Sequence, residues 1–259
     1  MVITGYHIVD MDQDPTRRFS VRVDAYARYR PTYPEEVAAL AGRECGLRAG
    51  HVVADIGCGT GLLARLFLQR GCRVIGVEPN PEMRDAGRKA LADLAGFQAI
   101  DGRAEATTLA TGSVDLVTAG QAAHWFDADP ARAEFRRILR PGGWLMLVWN
   151  ERKREPGFMS DYETLIAHHA PEQARIDAQR ITSLFGGHGW RMARFDHRQT
   201  LDAEGLRGRV ASSSYTPLPG TDAFAALMAE VDGLFARHQR DGWVNVNYST
   251  EVYYGRPGA

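Results

Sequence analysis

The residues best suited to chemistry cluster at one turn, Asp55-Ile56-Gly57-Cys58-Gly59-Thr60-Gly61. Glycine at alternate positions lets the backbone approach a ligand that a Cβ would hold off. A helix starting just beyond would add free N–H groups. This is the chemistry of cradling a nucleotide-like molecule. Glu78 stands about 20 positions beyond the loop, where an acidic side chain accepts hydrogen bonds from a ribose diol. The dinucleotide fingerprint G-x-G-x-x-G would need a third glycine at position 62, which is Leu62, and no Gly-Lys-Ser/Thr follows to grip phosphate. His124 lies after a later apolar run and is a candidate general base. The other reading of its ring, a hydrogen bond that fixes its own loop, is equally open.

These residues need strand ends to hold them. Val52-Val53-Ala54 leads into the glycine loop as a short buried strand, and Leu62–Phe67 leaves it as a helix. Further strands are expected at Cys72–Val77, Gly96–Ile100, Val114–Ala119 and Trp144–Trp149. Pro81 opens one intervening helix and Ala128–Leu139 forms another, with a sharp turn at Arg140-Pro141-Gly142-Gly143. Strand and helix alternate, the signature of an α/β fold with a doubly wound, mainly parallel sheet and helices on both faces. Ligands in such sheets collect at the carboxyl ends of the strands. In the second half, helices are expected at Met159–His169, Glu172–Leu184, Ala203–Val210 and Thr221–Gln239, and strands at Arg191–Leu201 and Val244–Tyr254, seven strands in all.

The combined motifs DIGCGTG (Asp55–Gly61), VEPNPEM (Val77–Met83), GRAEATTL (Gly102–Leu109), SVDLVTAGQAAHWF (Ser113–Phe126) and RILRPGGWLMLVWN (Arg137–Asn150) resemble the class I S-adenosylmethionine-dependent methyltransferases. Together with YARYRPTYP (Tyr26–Pro34), they look like the bacterial small-molecule members of that family. The resemblance implies a Rossmann-like sheet with an N-terminal helical cap and S-adenosyl-L-methionine as cofactor. Carried over by position, it implies that Gly57, Gly59 and Gly61 pass around the methionine part, with Asp55 supporting the loop and the ammonium group. Glu78 would hold the ribose, Pro79 and Met83 would flank adenine, Ala104 and Glu105 would lie at its edge, and Gln121 near the methionine. Tyr29 and Arg30, beside Tyr26, belong to a segment that closes over the cofactor. Many relatives carry Asp where this chain has Arg103, so a contact to the adenine amino group passes here to backbone and Glu105. Trp125, Phe126, Trp149 and Tyr215 would wall the substrate pocket.

Composition narrows the partners. The 31 basic and 32 acidic residues give a formal net charge of −1, without the basic footprint of a nucleic-acid binder. No apolar run reaches membrane-spanning length and no signal-peptide core opens the chain. Three cysteines fit a reducing cytoplasm. Adjacent His168 and His169 face different ways on a helix and lack the i, i+4 spacing of a helical metal site, so no metal is expected. The expected organisation is an arm and helical cap over residues 1–45 and one methyltransferase domain over 46–259, with 151–220 on the substrate side, as monomer or homodimer. The expected activity is methyl transfer to oxygen or heteroaromatic nitrogen of a small, aromatic molecule in specialised metabolism. The alternative is a non-catalytic cofactor-binding regulator or scaffold.

Overall fold

The structure, a computed structural model, describes residues 23–169, 176–187, 189–213 and 215–258. Seven strands form one sheet: β1 (Val52–Ile56), β2 (Arg73–Val77), β3 (Phe97–Ile100), β4 (Val114–Gly120), β5 (Leu139–Arg152), β6 (Trp190–Leu201) and β7 (Val244–Gly255). Their order is β3-β2-β1-β4-β5-β7-β6. β1 to β5 pair in parallel, and β7 runs antiparallel to both β5 and β6. The sheet is therefore mainly parallel, as the alternation predicts.

β1 is buried at every position, and its side chains alternate between two cores. Val52, Ala54 and Ile56 belong to one apolar layer with Phe135 and Ile138 of one helix and Leu184 and Phe185 of another. Val53 faces Val37, Leu40, Leu63 and Phe67 on the opposite side. This period-2 alternation between two apolar layers is what a doubly wound sheet requires. Described helices in chain order are α1 (Val23–Tyr29), α2 (Glu36–Cys45), α3 (Leu62–Leu68), α4 (Pro81–Ala90), α5 (Ala128–Ile138), α6 (Phe158–His169), α7 (Ala178–Phe185), α8 (Ala203–Ala211) and α9 (Asp222–His238). α4 starts as its sequence dictates, with Pro81 in the first turn and the Asn80 side chain accepting from Met83 N–H at 2.9 Å.

Two boundaries differ from expectation. Arg140–Gly143 is no separate turn: α5 runs straight into β5, and these residues loop out within that strand. Val114 pairs with Leu139 while Leu116 pairs with Trp144, so the extra residues form a bulge, with Gly142 at φ 80°. The helix expected over Glu172–Leu184 is described as Ala178–Phe185, capped by the Asp177 carboxylate on Arg180 N–H. Its first residues, 172–175, and the arm Met1–Ser20 lie outside the described residues.

A third core joins α6, α8 and α9 to Leu201, Val244, Val246 and Tyr248 at one end of β6 and β7. α1 lies between this unit and the sheet, touching α4 on one side and α8 on the other. Its seat on α8 is tight, because a Cβ at Gly208 would meet the Tyr29 ring at 2.2 Å. Gly208→Ala is expected to expel Tyr29 and loosen α1. Limited proteolysis should then cut the segment before Pro31 faster than in wild type; equal rates would show that this seat does not hold the helix.

Candidate functional site

A cleft of about 880 Å³, open to solvent, lies where the carboxyl ends of β1, β2 and β4 meet α1. Its lining includes Tyr26, Gly57, Gly59, Glu78, Pro79, Met83, Arg103, Ala104, Glu105, Gln121, Trp125 and Phe126. The loop after β1 has Gly57 at φ 64° and Gly59 at φ 53°, the left-handed region that disfavours a side chain. Space is short as well: a Cβ on Gly57 would stand 2.7 Å from Ala122 Cβ, and one on Gly59 would stand 3.2 Å from Met83 Cε. Gly61 is different. It caps α3 with φ 81°, and a Cβ there would strike Leu91 at 2.4 Å. Its glycine is required by packing, and it does not line the cleft.

Glu78 ties the loop to the end of β2. Its Oε2 accepts from Gly59 N–H and its Oε1 from Asn80 N–H, each at 3.0 Å. Burial pushes the Glu78 carboxyl up, against the pull of these two backbone donors and of Arg84. Glu105 accepts from Asp127 N–H at 2.8 Å, and so fixes the start of α5. Gln121 has φ 55° and passes its side-chain oxygen to Asn150 N–H at 3.0 Å, locking the β4 end to β5.

Asp55 lies beneath the glycines in a smaller hollow that shares Tyr26, Gly57 and Gly120 with the cleft. Thr118 Oγ1 donates to its Oδ1 at 3.1 Å, while Oδ2 is buried with no partner within hydrogen-bond distance among the described residues, as is Thr60 Oγ1. Burial pushes the Asp55 carboxyl up to about 7, against the pull of Thr118 and of the Ala64 backbone N–H. An orphaned, buried carboxylate oxygen calls for a cationic or hydrogen-bonding ligand.

His124 sits on a single 3₁₀ turn, Ala123–Trp125, after β4. It faces a second hollow shared with Trp125, Phe126, Asp177 and Arg180, beside the cleft and not within it. Its ring centroid is 4.5 Å from that of Trp125 and 5.2 Å from that of Trp149. Nδ1 is buried without a hydrogen-bond partner among the described residues. Burial first, then Arg180 and Arg30, lower the imidazole to about 4, so it is neutral at physiological pH.

Other predicted residues fall elsewhere. Tyr29 turns away from the cleft, donating to Glu204 at 2.6 Å and packing on Gly208; Tyr26, one helical turn earlier, takes the cleft position. Arg30 lies over the Tyr26 ring at 4.7 Å. Trp149 is buried behind His124. Tyr215 is held by Arg152 at 2.9 Å, away from the cleft lining. Gly102, Gly120 and Ala122 join that lining; their small side chains carry no signal of their own in the sequence. His168 and His169, expected to diverge, come together with Glu230 of α9, their potential ligand atoms within 4.8 Å of one another.

Residues 54–147 match the family model described as a methyltransferase domain. An uncharacterised methyltransferase of Mycobacterium tuberculosis is 34% identical over 229 residues, covering 87% of this chain and 88% of that protein. The chain is a class I S-adenosylmethionine-dependent methyltransferase. Malonyl-[acyl-carrier protein] O-methyltransferase of Enterobacter lignolyticus is 30% identical over 84% of this chain and 80% of its own length. The fold also matches an S-adenosylmethionine-dependent methyltransferase of Geobacter sulfurreducens solved with S-adenosylhomocysteine, with TM-score 0.54, 17% identity, and 93% and 98% of the two chains covered.

The cofactor of this methyltransferase is S-adenosylmethionine, and the cleft fits it. The orphaned Asp55 oxygen suits an ammonium group, Gly57 and Gly59 leave room for a closely held chain, and Met83, Pro79 and Phe126 supply apolar walls. The raised Asp55 value gives a pH signature. The carboxylate attracts a cation only when ionised, so cofactor affinity should rise with pH through about 7 and be lost below it. Asp55→Asn should bind at least tenfold more weakly at pH 8 and show no such rise. Calorimetric titration of S-adenosylhomocysteine from pH 5.5 to 8.5 checks both; identical profiles for wild type and variant would remove Asp55 from the site.

Proposed function

We propose that this methyltransferase moves a methyl group to oxygen or heteroaromatic nitrogen of a small aromatic molecule. The observation that carries this reading is the neutral His124, its Nδ1 unpartnered, set between Trp125 and Trp149 beside the cofactor cleft. Bound S-adenosylmethionine supplies a methyl group activated on sulfonium. The protein's own task is to align the acceptor and keep water out. Gly57, Gly59 and Asp55 hold the methionine end, Glu78 the ribose, and Pro79, Met83, Ala104 and Glu105 the adenine. Gln121 keeps the β4 end in register, and Arg30, whose guanidinium stacks on the cleft residue Tyr26, would pair with the cofactor's carboxylate.

His124 faces the acceptor. With its conjugate acid near 4, the imidazole is a weak base but an available hydrogen-bond acceptor across neutral pH. It therefore orients an acceptor O–H and takes up its proton only as the oxygen–carbon bond forms. Trp125 and Phe126 give the cleft an apolar wall suited to a ring, with Trp149 packed behind His124. The near-neutral charge of the chain supports a small molecule over nucleic acid. The Enterobacter relative is named an O-methyltransferase, which supports oxygen as an acceptor.

Incubation with methyl-labelled cofactor and a panel of phenols, aromatic acids and N-heterocycles tests the reading. Label should pass to at least one of them. Label passing only to protein or nucleic acid, or tight cofactor binding without transfer, would overturn it. With cofactor saturating, His124→Ala should lower kcat by about 100-fold or more while cofactor affinity is unchanged. Because the wild-type imidazole is already neutral above about 4, kcat should show no histidine limb between pH 5 and 8. A limb near 6.5 that His124→Ala abolishes would contradict the assigned state of the ring.

A further inference from the structure

Arg152 ends β5 and Arg209 lies on α8, and they share a buried cluster with three phenols. Arg152 donates to Tyr215 at 2.9 Å, lies over the Tyr162 ring at 5.6 Å and pairs with Glu163 through Nε and Nη2. Arg209, 2% exposed, donates to Tyr248 at 3.0 Å and to Ser213 Oγ at 2.9 Å. It has no carboxylate partner among the described residues. The hydroxyl of Tyr162, a fully buried residue, has no hydrogen-bond partner among the described residues.

A buried guanidinium without a counter-charge is costly, and so is a buried donor left unmade. Both occur in one cluster, and one kind of ligand satisfies both: an anion with planar, paired oxygens. The cluster is joined to α1: Tyr248, which accepts from Arg209, donates to Gln199 Oε1 at 3.4 Å, and Gln199 Nε2 donates to Tyr29 O at 2.9 Å. The same helix places Tyr26, with Arg30 stacked on it, at the cleft. Burial raises the Tyr215 phenol, and Arg152, then Arg209 and Arg30, pull it down. Glu163 pairs with Arg152, which leaves the Arg209 guanidinium without a counter-charge among the described residues.

We propose that the acceptor is a small aromatic carboxylic acid whose carboxylate docks on Arg209, Arg152 and the hydroxyls of Tyr162 and Tyr215, leaving its acceptor atom toward His124. The proposal rests on the small-molecule reading above and narrows it to one substrate class. The carboxylate supplies the missing counter-charge and accepts from the orphaned hydroxyl. Arg209 and Tyr162 are then specificity-determining residues.

Matched pairs of probes test it on the full chain saturated with S-adenosylhomocysteine: benzoate, 4-hydroxybenzoate and nicotinate, each against its amide. Calorimetry should give at least one acid a Kd below 1 mM and at least tenfold tighter than its amide. Binding should also raise the titration midpoint of a tyrosine read at 295 nm, a signal absent in Tyr215→Phe. Tyr162→Phe, which removes a hydroxyl the fold does not use, should weaken that acid by about tenfold while leaving the amide unchanged. Arg209→Gln should abolish the discrimination; if it does not fold, Tyr162→Phe still decides. Acids that bind no better than amides, or a Tyr162→Phe variant that binds both as wild type does, would overturn the proposal. Methyl transfer is read separately. Amides methylated as fast as acids would leave the small-molecule activity standing and refute the carboxylate site. Acids bound selectively but never methylated would leave this site standing and count against the activity proposed above.

Discussion

The glycine loop holds its shape because Glu78 reaches back across from the next strand. One carboxylate takes Gly59 N–H on one oxygen and Asn80 N–H on the other, so it binds the turn after β1 to the start of α4. Asn80 in turn caps α4 and sets Met83 against the loop. A hydrogen bond to a charged acceptor contributes about 1.5–3 kcal/mol, enough to hold an otherwise unsupported turn of left-handed glycines. Asp55 is the counterpart below the loop. Its folded value stands above the ~4 of a free carboxylate, so ionising it costs stability, a cost absent in acid and fully present above about 7. A bound cation offsets that cost, so ligand binding and loop stability are linked.

The fold was readable because its signals are local. Apolar runs of strand length, Pro81 after Asn80, and glycines whose φ is positive each act within a few residues, and all seven strands lie where these signals place them. The lining of the cleft was readable for the same reason wherever the residue sits at a strand end: Gly57, Gly59, Glu78, Pro79, Met83, Ala104, Glu105 and Gln121 all reach it. Residues placed by tertiary packing were not. Tyr26 and Tyr29 are three positions apart on one helix, and only the fit of Tyr29 over Gly208 decides which one meets the cleft. His168 and His169 converge because Glu230 arrives from a helix some sixty residues away. Arg152 and Arg209 carry no motif, and their meeting depends on how α6, α8 and β7 enclose them. Gly61 has the motif but a different job, since Leu91 fills the space where a side chain would go.

α1 connects the two parts of the molecule. It contacts α4 on the cofactor side and α8 on the other, and offers Tyr26 to the cleft, Tyr29 to α8 and Arg30 between them. Asn150 anchors the chain just after it, donating to Thr32 O at 2.9 Å while accepting from Thr250 at 2.6 Å. One short helix thus touches both the cleft and the third core. Any displacement of it alters the two together.

The lengths of the strands carry a consequence of their own. β1 to β4 have four to seven residues, whereas β6 and β7 have 12 each. β5 leaves the pairing at Tyr248, but β6 continues beside β7 to Val244. The two long strands therefore run past the end of the parallel sheet as a free ribbon, and the third core hangs from that ribbon. The third core is thus cantilevered from the sheet whose strand ends line the cleft. Side chains tie the overhang back to its support, among them Arg152 of β5 on Tyr215 and Glu163 and Gln199 on Tyr29 O, so a change in the overhang is felt in the frame.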